Sequence, residues 1–342
     1  MLKALPENMC REILDMFQYA HEHTVSPKIW HQAIIAPLYK KGDVLDPKKF
    51  RPIVLRCTIA KIYEIILLKR IRHVIEWGKD APPMNTNLVD DFYGQSPLMS
   101  KYQVAYRPMH SALDHLAILQ DQIEMANESG KPLYICFLDY KKFYDKCSRA
   151  HMFTALFKLG IKGKTALSLH EIFSNTWNSI RLAPQVYTKP FPQDNGVWQG
   201  SSPSTLLASL VFEQFIQIVN QRFKPKSQCH STPVTAAGDA VNVLAFCDDL
   251  VVLRHTWDGL VKRLDLLMEW SPTVHITPHT SKTGKSFILA FGNAPSDGMC
   301  YRHCFKGNMI EIVTADHAGI NFQTDIDACL LYTSPSPRDT RS

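Results

Sequence analysis

The stretch "VLAFCDDLVVL", Val243 to Leu253, sets two adjacent aspartates in the middle of an otherwise apolar run. If the run were one buried strand, each carboxylate would be expensive to desolvate unless it were paired or bound to a metal. Two readings stay open on this window. One is a tight hairpin joining "VNVLAF" to "LVVL", with aspartates tolerated because turns are exposed. The other is a site that requires carboxylates at a strand end.

At 342 residues, 45% hydrophobic and 20% charged, the chain reads as globular and long enough for two subdomains or more. It contains no apolar run of about 18 residues, and "MLKALPENMCREIL" is charged and helical in pattern without a signal-peptide core. The expectation is a soluble chain made in the cytosol, with no targeting signal and no membrane partner. Nine cysteines are scattered without a framework. Cys57, Cys136 and Cys247 sit in apolar stretches as small hydrophobes, so reduced thiols are expected. The net charge of +6 is unevenly placed. Between Tyr39 and His73 there are ten Lys or Arg against three Asp or Glu, while the remainder carries 28 basic and 29 acidic groups. Such concentration suits a footprint for phosphates, although a solvated basic helix face has the same composition.

Helical periodicity predicts helices over Leu5–Ala20, Ile59–Trp77, Ser111–Ala126, Ala150–Leu159, Thr205–Val219 and Trp257–Trp270. Strands are expected over Ala33–Tyr39, Leu133–Leu138, Val243–Phe246, Leu250–Leu253, Phe287–Phe291 and Met309–Val313. Loops rich in Pro, Asn and Gly separate them. The pattern is a mixed architecture with short hairpins, neither a TIM barrel nor a simple doubly wound sheet.

A second acidic strand end stands in "LYICFLDYKKFYD", where an apolar run delivers Asp139, with Asp145 six residues on. A strand ending in a carboxylate, beside a hairpin tipped with two more, could hold two divalent metals roughly 3.5 to 4 Å apart for phosphoryl chemistry. Taken alone, Asp139 reads more readily as an N-cap for a following helix than as a site residue.

The order of segments resembles the reverse transcriptase domain of non-LTR (LINE-type) retrotransposons. "PKIWHQAIIAPLYKKGDVLDPKKFRPIVL" is similar to the start of that family's fingers, and "QVAYRPMHSALDHL" to its Gln-x-Gly-Phe-Arg segment, with Ala105 in place of Gly. "FLDYKKFYDKCSRAHMFTALFKLGI" resembles the palm motif with the first aspartate; "GVWQGSSPSTLLASLVFE" resembles the Gln-Gly loop and helix. "LAFCDDLVVL" resembles the Tyr-Ala-Asp-Asp hairpin, "SKTGKSFILAFG" the lysine motif, and "IEIVTADHAGINF" the segment that closes the palm.

The resemblance implies an α+β right-hand polymerase, with fingers over 1–128 and a palm over 129–325 built on a small antiparallel sheet backed by helices. Residues 150–195 would pack partly towards the fingers. It also implies RNA-directed DNA synthesis with Mg2+, or alternatively Mn2+, on an RNA template, a DNA primer and dNTPs, acting in the nucleus. Asp139 and Asp248 would be metal ligands, and Asp249 the third acid, more a supporting than a ligating group because strand neighbours point to opposite sides. Lys40, Lys41 and Arg51 resemble residues that grip the triphosphate. The Phe143 backbone amide would help cradle phosphates, and Tyr144 would bar a 2′-hydroxyl. Gln199 and Gly200 would lie beside the base pair, and Lys282 would protonate the pyrophosphate.

Departures from the family pattern are Phe143 before the gate aromatic, which would crowd the sugar pocket, Trp198 in place of Arg before Gln-Gly, "SSPST" after it, and Cys247 before the paired aspartates. They leave a catalytically inactive nucleic-acid-binding remnant, or a group II intron-like or telomerase-like polymerase, as alternatives. "CYRHC", Cys300–Cys304, offers soft ligands but lacks a partner pair at zinc-finger spacing. The ending from about Cys329, within 326–342, reads as a non-native tail, so the thumb that the family places next is expected to be missing.

Overall fold

The computed structural model describes residues 5–78, 98–108, 110–223, 232–235, 238–280, 285–295, 300–302 and 309–313. In chain order these form helix α1 (Glu7–His23), strands β1 (Gln32–Tyr39) and β2 (Phe50–Arg56), and helix α2 (Thr58–Trp77). Helix α3 (Ala112–Ser129) leads to strand β3 (Leu133–Leu138), the single turn α4 (Phe143–Lys146), and helices α5 (Arg149–Lys158) and α6 (Lys164–Ile172). Strands β4 (Thr176–Ala183), β5 (Val186–Tyr187) and β6 (Phe191–Gln193) precede helix α7 (Ser202–Arg222). Strands β7 (Val243–Phe246) and β8 (Asp249–Arg254), helix α8 (Trp257–Trp270) and strands β9 (Phe287–Phe291), β10 (Cys300–Arg302) and β11 (Met309–Glu311) follow. The architecture is α+β, as expected from the sequence.

Helix ends follow local chemistry. The Ser111 hydroxyl accepts from the Leu113 N–H, the Asp114 carboxylate accepts from the Ser111 N–H, and Gly130 at φ 65 closes α3. Thr256 caps α8 by accepting from the Gly259 N–H.

The chain separates into two compact units, each drawn from two stretches: Met1–Met99 with Tyr144–Leu210, and Ser100–Phe143 with Val211–Ser342. This partition differs from a cut at residue 128. Helix α3 belongs to the second unit because its apolar stripe, Leu119, Ile123 and Ala126, packs in one core with Leu133, Ile135, Leu244 and Leu253.

In the second unit a four-stranded antiparallel sheet has the order β7-β8-β3-β9. β3 is central, and five of its six residues are buried. That is why its sequence is a continuous apolar run and not an alternating one. Helix α8 also packs on this sheet, with the Trp257 ring edge-on to Tyr134 at 5.4 Å and Leu260, Leu264 and Leu267 buried.

The first unit holds a five-stranded sheet of order β2-β1-β4-β5, with β6 also paired to β4. β1 runs antiparallel to β2 and parallel to β4. Strands β2, β4, β5, β6 and β10 and helices α4 and α6 were not among the expected elements. β2 carries Pro52, which argues against a central strand; it forms because β2 lies at the sheet edge, where a missing N–H is tolerated. Strand β10 pairs with β11 and contains Cys300, whereas His303 and Cys304 of the considered zinc set lie outside the described residues. Lys282, most of the expected closing segment and the tail 326–342 also lie outside them.

Candidate active site

All three aspartates fall in the second unit. The register of β3 against β8 ends at Leu138 opposite Leu250, so Asp139 and Asp249 continue one position beyond the last pair. Phe246 pairs with Asp249 across the β7–β8 hairpin, leaving Cys247 and Asp248 as its turn. Cys247 is buried and sits at φ 59, a left-handed conformation that costs a non-glycine residue about 1 kcal/mol. Two-residue hairpins demand positive φ, so the strain is set by the hairpin that carries the acids. The window is therefore a turn and an acidic strand end at once.

Asp139 is fixed by its main chain. Its N–H donates to Ser286 Oγ at 3.1 Å, and its C=O accepts from the His279 N–H at 2.8 Å. The Lys141 N–H donates to Thr277 O at 2.9 Å, and Lys142 at φ 52 turns the chain towards α4. Asp139 is thus no N-cap, since α4 begins only at Phe143. Its half-buried carboxylate has Lys285 Nζ and His279 Nε2 each 3.9 Å from Oδ2, beyond hydrogen-bond length. His279 is held below the ordinary imidazole range, by desolvation first, with Lys141 and Lys285 adding to the effect and Asp139 opposing it.

The Asp249 carboxyl is pushed up to about 7, by desolvation first, then by Asp248 and Asp139, with Lys285 opposing. Its side chain is nevertheless solvent-exposed. For a group that water reaches, desolvation is partly relieved, and the like-charge neighbours weigh more. Hard carboxylate oxygens crowded in this way suit a divalent cation such as Mg2+. Among the described residues no group of three or more His, Cys, Asp or Glu side chains is placed to hold a metal ion. It is the chemical type of the donors, carboxylate oxygens, that fits a metal. Sequence reasoning missed Lys285, His279 and Ser286; the second lysine of "SKTGKS" was their only visible signal.

The first unit carries most of the expected nucleotide-binding residues. Lys40 and Lys41 are exposed in the β1–β2 loop, and Arg51 is exposed on β2 opposite Leu38. Tyr144 is half-buried, and its C=O accepts from the Val197 N–H at 2.7 Å. Gly196, at φ 70, permits this approach, because a Cβ there would lie 2.4 Å from Tyr144 O. Gln199 Nε2 donates to Asp145 Oδ1 at 3.4 Å, and Gln199 O accepts from the Val54 N–H at 2.8 Å. Gly200, at φ 119, would place a Cβ 3.0 Å from Val54 O.

Two departures find their places here. Trp198 is fully buried beneath the Arg56 guanidinium, 3.8 Å from its ring centroid, and donates from Nε1 to Asn178 Oδ1 at 3.0 Å. Arg56 forms an ion pair with Glu64, both wholly buried, and Glu64 also accepts from Ser201 Oγ at 2.9 Å. Burial lowers the Arg56 guanidinium to about 9. Phe143, in the second unit, has its ring buried, stacked on Phe212 at 5.1 Å and tilted against Tyr140. Both bulky residues are absorbed by their cores.

A family profile described as "Reverse transcriptase (RNA-dependent DNA polymerase)" matches residues 38–288. Among curated proteins, the chain is 24% identical over 231 residues to a retrovirus-related Pol polyprotein from the type-1 retrotransposable element R2 of Popillia japonica, covering 67% of this chain and 28% of that protein. The R2 polyprotein of Nasonia vitripennis is 22% identical, with 72% and 21% covered. A probable RNA-directed DNA polymerase from the Drosophila melanogaster transposon X-element is 25% identical, with 42% and 14% covered. The chain thus spans less than a third of each of these relatives. Among solved structures it is similar in fold to telomerase from Candida albicans, at TM-score 0.50 and 11% identity, covering 83% of this chain and 46% of that one. Telomerase from Candida tropicalis gives TM-score 0.50 and 12% identity, with 89% and 48% covered.

Proposed function

The chain belongs to the reverse transcriptase (RNA-dependent DNA polymerase) family, and from that premise we propose that it is the polymerase portion of a non-LTR retrotransposon protein, joining dNTPs to a primer 3′-hydroxyl on an RNA template. The observation that carries this reading is the meeting of two strand ends, β3 and β8, at Asp139 and Asp249 with Asp248 in the adjoining turn. Asp139 and Asp248 would hold Mg2+, with Asp249 supporting them. When bound, such cations supply Lewis-acid activation of the 3′-hydroxyl and neutralise charge on the transferring phosphoryl group.

The chain's own residues do the positioning. The Asp139 main chain, tied to Ser286 and His279, keeps its carboxylate at the strand end. Lys285 maintains positive charge beside the acids. In the family arrangement, 1–128 serve as fingers and 129–325 as palm. Lys40, Lys41 and Arg51 would meet the triphosphate, Tyr144 would exclude a 2′-hydroxyl, Gln199 and Gly200 would border the new base pair, and Lys282 would protonate pyrophosphate. Action in the nucleus belongs to the same reading. The burial of Phe143 and Trp198 supports an active enzyme over a decayed remnant, since neither side chain is left in an open site.

Primer extension on an RNA template tests this. The chain should extend a DNA primer in the presence of Mg2+ and dNTPs, and Asp139→Asn should lose extension while RNA retention persists. Extension by Asp139→Asn at the parent rate would refute the site assignment.

A further inference from the structure

We propose that His31 is a proton-operated clasp: its imidazolium, gripped by Glu171, Ser26 and Ser174, fastens the segment leading into β1 onto helix α6, and loss of the proton releases that segment. None of these residues serves the chemistry proposed above, so the clasp stands or falls apart from the polymerase reading.

Its partners fix the proton. His31 ends the short 3-10 turn Lys28–His31 and directly precedes β1. Its Nδ1 lies 2.7 Å from Ser174 O, a carbonyl that can only accept, so Nδ1 carries hydrogen. Its Nε2 lies 3.1 Å from Glu171 Oε1 and 2.9 Å from Ser26 Oγ. The Ser26 hydroxyl already donates to Glu171 Oε2 at 2.5 Å, so Oγ and Oε1 both face Nε2 as acceptors. Both ring nitrogens therefore donate, and a ring that donates twice is an imidazolium. A neutral ring sets a lone pair against the carboxylate or draws the Ser26 hydroxyl away from Glu171.

The charges around the ring act in the same sense. The bond with Glu171 is the largest influence on His31 and, helped by the Ser174 carbonyl, raises it above the ordinary imidazole value, with burial and Arg56 of β2 opposing. For Glu171 the largest influence is desolvation, which raises a carboxyl; the bonds from His31 and Ser26 outweigh it and hold the group below its ordinary value. Tyr63 of α2, which feels the Glu171 charge, is raised, by desolvation first, and stays neutral. A histidine raised in the folded state contributes stability that is full below 6.5 and is lost as pH rises from there through the folded value. His21 of α1 meets the same helix with the opposite requirement. Arg70 Nη1, which can only donate, lies 3.3 Å from His21 Nε2, and Thr165 Oγ1 of α6 lies 3.2 Å from it, so this nitrogen accepts and the ring is neutral. His21 is accordingly lowered, by desolvation first, then by Arg70 and Lys164, with Glu22 opposing.

The clasp ties two chain segments just before they pair. β1 begins at Gln32, opposite Trp177 in the parallel β1–β4 pair, and Ser174 stands three residues before Trp177. When the clasp opens, Trp30 stays buried against Phe17 and Tyr63, so the release is local.

The experiment uses the full chain with isotope-labelled histidine. The His31 ring is titrated by NMR, its signal assigned by its loss in His31→Gln. Hydrogen exchange of the Trp30 and Gln32 amides, which donate to Pro27 O and Ile29 O, is followed at pH 6 and pH 8, each rate taken relative to the intrinsic rate at that pH. The His31 ring should titrate above 6.5, and protection of both amides should fall severalfold from the lower to the higher pH. Glu171→Gln should move the ring titration down towards 6.5 and flatten the fall, whereas His21→Gln should leave both in place. A His31 ring titrating at or below 6.5, equal protection at the two pH values, or parent-like behaviour in Glu171→Gln would each overturn the clasp. Should Glu171→Gln fail to fold, the parent's ring titration and its two protection factors decide by themselves.

Discussion

Glu64 and Asp249 are both carboxylates among strongly charged neighbours, and their surroundings are opposite. Glu64, in the first unit, has no exposed side-chain surface, faces Arg56 and accepts the Ser201 hydroxyl. Asp249, in the second, has Asp248 and Asp139 for neighbours and remains open to solvent while its carboxyl is raised to about 7. One acid is satisfied from within the fold. The other lies open beside two further acids, and that difference separates a group the fold closes over from one that a ligand can reach.

The strongest way to break the comparison is at the open acids. Asp248→Asn should lower primer extension by about a thousandfold, near 4 kcal/mol of barrier, without moving the melting temperature downward. A large loss of stability instead would make these aspartates structural.

The converse holds for the closed pair. Glu64→Ala should destabilise the fold by about 3 kcal/mol, because it leaves Arg56 buried without its carboxylate, and replacing both partners by apolar residues (Arg56→Met with Glu64→Leu) should recover most of it. Denaturant midpoints measure this, and an unchanged midpoint in Glu64→Ala would contradict a pair satisfied from within.

A third carboxylate sharpens the contrast inside the second unit. Glu213 is buried, accepts from the Ser100 N–H at 3.0 Å and from Gln217 Nε2 at 3.1 Å, and is raised to about 7, by desolvation first, with those bonds and Arg107 opposing. A carboxyl raised in the folded state holds its proton better there than in the unfolded chain. Stability it contributes is present at low pH and lost as pH rises from the unfolded value through about 7. Glu213→Gln should therefore flatten the fall in stability over that window and gain about 2 kcal/mol at pH 8. Melting curves against pH read it out, and an unaltered slope would show that Glu213 does not titrate there.

The smallest effect is expected at Gly200. Gly200→Ala meets both the φ of 119 and the 3.0 Å approach to Val54 O, and should cost about 1 kcal/mol in the folding free energy. A neutral result would mean that the Gln199–Gly200 loop shifts readily, unlike the ion pair beneath it.

Much of the second unit was legible in residue order. The strand Leu133–Leu138 and the helix Trp257–Trp270 have the ends that their sequences imply, because an apolar run bounded by charge and an apolar stripe behind a Thr cap are local signals. The first unit was harder to read. β2 hid behind Pro52, β4 lacks strict alternation, and α6 is a nine-residue helix without a side-chain cap.

The candidate site divides in the same way. The sequence by itself determined that Asp139, Asp248 and Asp249 stand at strand ends, since no apolar strand accommodates such acids in its middle. Only tertiary structure decided that β3 and β8 are neighbours, which places the three acids at one end of the sheet, where desolvation first and the neighbouring charges second raise Asp249. It also decided that Trp198 covers a buried ion pair and that Phe143 stacks in a core, where the motif alone suggested damage. Packing partners distant in sequence leave no periodic trace, and the same bulky side chain is an obstruction in an open site and a support in a filled core.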